Sequence, residues 1–209
     1  MSDPNSHVKY IWLVRHAESL GNTGQESDLD PPLTPRGQQQ AKRLAEALEG
    51  VRFERIYLSP LKRTRDTFER SGVRTGDIQY DTRILEWRAE GAYGELLPYM
   101  GLPDYAHPDP HEAWMTPFSE RIQSFADEIR MLDVDHILVV THGGAAVGLA
   151  NALVGRAPYA SPRHLGLHPM NNTGIGQFRL SRDGEKCLLS LWNHTGHLGR
   201  LGLLPQTLL

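Results

Sequence analysis

A single cysteine, Cys187, stands among 209 residues, so an internal disulfide is excluded and a reducing compartment suits the chain. No stretch of about 18 apolar residues is present, which excludes a transmembrane helix of ordinary length. The first nine residues are polar and carry no hydrophobic segment of signal-peptide kind. A cytoplasmic location and no membrane partner are the resulting expectations. No long basic run occurs and the formal net charge is −3, so nucleic acid is not an expected partner. A glycine-rich loop ending in Gly-Lys-Ser/Thr is missing, as is a dinucleotide fingerprint. Ten histidines are present, but the pairs His107/His111 and His164/His168 lie among prolines and glycines, against the helical spacing a metal site would use. No metal and no cofactor are expected.

What the chain has is an alternation of strand and helix patterns. Ile11–Val14 is a near-continuous apolar run, as in a strand buried on both faces. Thr34 offers an N-cap, Pro35 suits the first helical position, and Ala41, Leu44, Ala45 and Leu48 follow at helical spacing up to Gly50. A strand over Phe53–Leu58, a helix from Pro60 to about Arg70 and a short strand near Ile78–Tyr80 come next. A helix is expected from about Phe118 to Met131, a strand over His136–Val140 and a helix from about Gly144 to Val154. Strands over Ile175–Leu180 and Leu188–Trp192 close the chain. Residues 87–117, rich in Gly, Pro, Tyr and His and without periodicity, read as an irregular, lid-like insertion over the active site. The expectation is one α/β domain over residues 1–209. Its architecture would be three-layer α/β/α, with a mostly parallel central sheet flanked by helices.

Two of these strands end in histidine. Tyr10-Ile11-Trp12-Leu13-Val14 runs into Arg15-His16, and His136-Ile137-Leu138-Val139-Val140 runs into Thr141-His142-Gly143-Gly144. One strand-end histidine is as readily a packed core residue as a reactive one. Two of them, one beside arginine and one beside a glycine pair, fit the carboxyl edge of an open α/β sheet, where ligands bind. Arg15-His16-Ala17-Glu18-Ser19 with Asn22 resembles the Arg-His-Gly-Glu signature of the histidine phosphatase superfamily, the phosphoglycerate mutase-like proteins, with Ala17 in place of glycine. Leu33-Thr34-Pro35-Arg36-Gly37, Ser59-Pro60-Leu61-Lys62-Arg63-Thr64-Arg65-Asp66-Thr67 and Val140-Thr141-His142-Gly143-Gly144 resemble that family's further segments, in the family's order.

The resemblance implies that His16 attacks phosphorus and forms a phosphohistidine, splitting one difficult displacement into two. Arg15 and Arg63 would clamp the phosphoryl oxygens bidentately. His142, if protonated, would add another charge and donor. Gly143 would let the backbone approach and open a helix whose N–H groups favour an anion. Glu86 is the expected general acid and base, although the residues after it fit the family pattern less well and leave Glu90 as a rival. Asn22 is expected at the phosphate or substrate, with a turn role as its alternative. Glu18, Asn172 and the segment Asn193–Leu198 read as scaffold.

Glu86 and His142 are 56 positions apart, and residues 87–117 hold one Arg and no Lys. Both facts favour a phosphatase over a mutase, which needs a longer insertion and more cations for a second anionic group. The expected function is therefore hydrolysis of a small phosphate ester, releasing inorganic phosphate. Mutase-type phosphoryl transfer and a non-catalytic phosphate- or phosphoprotein-binding module are the alternatives. Nothing in the sequence sets the oligomeric state.

Overall fold

The computed structural model describes residues 8–26, 30–73, 76–86, 117–155 and 167–202. The expected insertion, except Pro117, lies outside them, as does Glu90. The strands are β1 (Val8–Arg15), β2 (Arg55–Leu58), β3 (Asp77–Tyr80), β4 (His136–Thr141), β5 (Ile175–Ser181) and β6 (Cys187–His194). The helices are α1 (Pro35–Ala47), α2 (Lys62–Ser71), α3 (Phe118–Met131) and α4 (Gly143–Leu153), with 3-10 turns at Thr82–Ile84 and Gly196–Gly202. The strands form one sheet in the order β3-β2-β4-β1-β5-β6. The first four strands in that order are parallel, and β5 and β6 add on antiparallel.

Successive side chains on a strand point to opposite faces, and both faces here are covered. Ile11, Leu13, Ile137 and Val139 pack with Ile122, Phe125 and Ile129 of α3 and Ala145 and Leu149 of α4. Val14, Leu138, Val140 and Leu58 pack on the other face with Leu44 and Leu48 near α1 and Phe68 of α2. The result is the three-layer α/β/α architecture with a mostly parallel sheet. Among the described residues, no helix is long and apolar enough to cross a membrane.

Most boundaries shift by one to three residues from the sequence reading, as where the strand expected over Phe53–Leu58 begins at Arg55 and the one expected over Leu188–Trp192 spans Cys187–His194; three of the shifts have a plain local account. β1 begins at Val8 because Lys9, fully buried, donates from Nζ to the carbonyls of Arg130 and Leu132 at the end of α3. α2 begins at Lys62 rather than Pro60: Leu61 is still extended, and the helix is capped from another loop by Asp30 Oδ2, 2.8 Å from Lys62 N. β4 runs through Thr141, which pairs with Arg15.

This register positions the site. Arg15 lies opposite Thr141 and Leu58 opposite Val140, so His16, His142 and Ser59 leave three adjacent strands at one level of the sheet edge.

Candidate active site

His16 is buried, and its Nδ1 lies 2.7 Å from the Ala17 carbonyl oxygen. A carbonyl only accepts, so Nδ1 carries the proton and Nε2 keeps the lone pair. Burial, then the charges of Arg63 and Arg15, hold the imidazole well below its ordinary range and keep it neutral. The His142 ring stands 5.2 Å away between centroids. Its Nε2 is 2.7 Å from Ser59 Oγ, while its buried Nδ1 has no hydrogen-bond partner among the described residues. Burial, with Arg63, His16, Arg15 and Arg121, also holds His142 well below the ordinary range. This environment disfavours the charged imidazolium, the form in which the sequence reading gave His142 an added charge.

Arg15 donates from Nη1 to the Met170 carbonyl at 2.7 Å, and its buried Nε has no hydrogen-bond partner among the described residues. Burial works against its charge, Glu86 supports it and Arg63 opposes it, so the three groups share one field. A Cβ on Gly143 would stand 3.5 Å from the Arg15 guanidinium, an ordinary contact distance, so Gly143 and Arg15 pack side by side. Arg63 is 4% exposed, with Nη1 3.4 Å from Asp30 Oδ1.

The loop after His16 is tied to both helices on its face of the sheet. Ala17 N donates to Thr67 Oγ1 of α2 at 2.9 Å, and Glu18 N to Gln40 Oε1 of α1 at 2.9 Å. Glu18 accepts from Thr34 Oγ1 and pairs with Arg36, a scaffold role. Gly37 is required, since a Cβ there would fall 2.0 Å from the Glu18 carbonyl oxygen. Asn22 Oδ1 accepts from Ser19 N at 3.0 Å and from Asn172 Nδ2 at 3.1 Å. That oxygen is used in shaping the loop, which is the turn role set beside substrate contact in the sequence. Asn172 Nδ2 also donates to the His16 carbonyl at 3.0 Å, and His197 Nε2 lies 3.3 Å from Thr173 Oγ1 behind it. The roles of Ser59 and Thr67 escaped the sequence reading, although both belong to the matched segment; their spacing from Arg63 was the available signal.

Glu86 arrives from the opposite side. Its carboxylate accepts from Gly144 N at 3.3 Å and Ala145 N at 3.2 Å, in the first turn of α4. These N–H groups fix where the carboxyl group stands. Among the described residues, no group of three or more His, Cys, Asp or Glu side chains is placed to hold a metal ion.

Fixed cations, a neutral histidine with a free lone pair, a second histidine and a carboxylate thus converge where open sheets bind ligands. Comparison with known proteins agrees. Phosphoserine phosphatase 1 of Hydrogenobacter thermophilus is 32% identical over 164 residues, covering 71% of this chain and 77% of its own. Phosphoglycerate mutase-like protein 4 of Arabidopsis thaliana is 27% identical, over 94% of this chain and 90% of its own. The crystal structure of phosphoserine phosphatase in complex with 3-phosphoglyceric acid, from Entamoeba histolytica, superposes with a TM-score of 0.63 at 24% identity, over 91% of this chain and 99% of that one. The family described as the histidine phosphatase superfamily (branch 1) matches residues 11–195, and this chain belongs to it.

Proposed function

We propose that this protein hydrolyses small phosphomonoesters through a phosphohistidine on His16. The observation that carries the assignment is the His16 Nδ1 bond to the Ala17 carbonyl, which leaves a neutral Nε2 lone pair at a site flanked by two buried guanidinium groups. Nε2 attacks phosphorus, the ester P–O bond breaks, and the alkoxide leaves with a proton from Glu86. Arg15 and Arg63 hold the equatorial oxygens as charge spreads onto them. With the Ser59 hydroxyl donating to His142 Nε2, the neutral ring carries its proton on Nδ1, and a phosphoryl oxygen is the acceptor that this buried N–H lacks. In the second half-reaction Glu86, now a carboxylate, takes a proton from water as the water attacks the phosphohistidine. Inorganic phosphate leaves and the histidine is restored.

Phosphoserine and 3-phosphoglycerate, named with the relatives, are the first esters to test. Acid-quenched turnover with labelled ester should trap an acid-labile phosphoenzyme. His16→Ala should abolish the trapped species and lower kcat by about a thousandfold or more, with the fold retained. Equal trapping in His16→Ala would refute the assignment. Formation of 2-phosphoglycerate from 3-phosphoglycerate, faster than phosphate release, would favour the mutase reading.

A further inference from the structure

The segment that ends in Glu86 is held by side chains from two other elements. Arg121 Nη1 donates to the carbonyls of Arg83 at 2.6 Å and Leu85 at 2.8 Å, and Nη2 donates to the carbonyl of Glu86 itself at 3.2 Å. Thr141 Oγ1, one residue before His142, donates to the carbonyl of Ile84 at 2.6 Å. Four consecutive carbonyls before and at the candidate acid are therefore satisfied by two side chains.

Arg121 sits in the first turns of α3 and is 8% exposed. Its guanidinium lies 4.7 Å over the Phe118 ring. Phe118 in turn packs on α4 at Gly148, where a Cβ would meet the ring at 3.0 Å. The same helix, α4, receives the Glu86 carboxylate at its N-terminus. Glu86 is thus gripped twice, at its main chain by Arg121 and at its carboxylate by α4, and Arg121 is braced on α4 through Phe118. A planar fork with five donors spreads over three carbonyls in a fixed geometry; an ammonium has three donors, but they diverge from one point on a flexible stem.

We infer that Arg121 is the positioning residue of the acid: it fixes where the Glu86 carboxyl stands relative to His16 without touching the ester. The inference rests on the reading of Glu86 as the general acid. A carboxyl displaced by even a fraction of an ångström would protonate the leaving oxygen poorly, while the phosphate clamp of Arg15 and Arg63 would be unaffected.

The test compares Arg121→Lys, Glu86→Gln and the double variant on phosphoserine, with its poor alkoxide leaving group, and on p-nitrophenyl phosphate, which needs little protonation. Glu86→Gln should lower kcat/KM for phosphoserine by about a hundredfold or more. Arg121→Lys should lower it by about ten- to a hundredfold, with a much smaller effect on p-nitrophenyl phosphate. The double variant should be no worse than Glu86→Gln. Equal losses on both esters, or full additivity in the double variant, would overturn the inference. Normal hydrolysis of phosphoserine by Glu86→Gln would instead overturn the assignment of the acid, whatever Arg121 does. Arg121→Gln repeats the comparison without the charge. If neither Arg121 variant melts cooperatively, the residue serves folding and the inference falls.

Discussion

His16 is suited to attack because its other nitrogen is already engaged. The bond from Nδ1 to the next carbonyl costs no second side chain and fixes the tautomer within the loop. Among the described residues His142 Nδ1 has no such local acceptor, and the ring is held instead at Nε2 by the hydroxyl of Ser59, which follows β2. Ser59→Ala should therefore free the tautomer of His142 and lower kcat by about ten- to a hundredfold, on the scale of losing one donor to the transition state. Because the imidazole of His16 is not altered, the phosphoenzyme should still be trapped. Its complete loss in Ser59→Ala would mean that the hydroxyl acts on His16 or on the ester instead. Arg15, His16, Arg63 and His142 were legible because strand-end position and matched spacing announce them. Arg121 was not: its partners are main-chain oxygens more than 30 residues away, and no local pattern marks such a contact.

At the scale of elements, the loop after His16 is clasped by α1 and α2 through the close approach at Gly37, the Gln40 amide and the Thr67 hydroxyl. Gly37→Ala would force a Cβ to 2.0 Å from the Glu18 carbonyl oxygen, so α1 must shift. Thermal melting should show a loss of about 2 kcal/mol or more, with activity falling alongside. Thr67→Val keeps the volume but removes the acceptor of Ala17 N. An unsatisfied buried N–H costs about 1–3 kcal/mol, and phosphorylation should slow as the loop loosens. Unchanged stability in both variants would show that the loop is held elsewhere. Most elements followed from apolar periodicity, and Thr34 caps α1 as its sequence suggests, accepting from Gly37 N at 2.9 Å. The exceptions depended on distant partners. Lys9 looks like the polar flank of a strand until the end of α3 supplies its carbonyls, and Asp30 caps α2 from outside the helix.

For the whole molecule, neutral buried histidines set the response to acid. His16 and His142 are held well below the ordinary range, chiefly by burial, and burial and His194 bring His197 to about 4. In the unfolded chain each titrates near about 6.5. Below that pH the unfolded state binds protons that the folded state refuses, so stability is complete above it and falls as the pH drops toward the folded values. Asp30 and Asp81, raised by burial, act in the opposite sense nearer the carboxylate range. The melting temperature should therefore decline from pH 7 toward about 5, and His197→Gln should make that decline shallower. A melting temperature that rises over this interval would contradict the neutral assignment.

The place of β1 in the sheet also governs how the chain can assemble. The strand is made first, yet its two neighbours are β4 and β5, whose residues begin at 136 and 175. During synthesis the strand that carries Arg15 stays without either neighbour until the residues from 136 onward have emerged. Pairings of such long sequence separation are slow to form, and apolar strands waiting for them are exposed to aggregation. Nascent chains that stop before residue 136 can form neither pairing, and the two histidines cannot meet until residue 142 has been made.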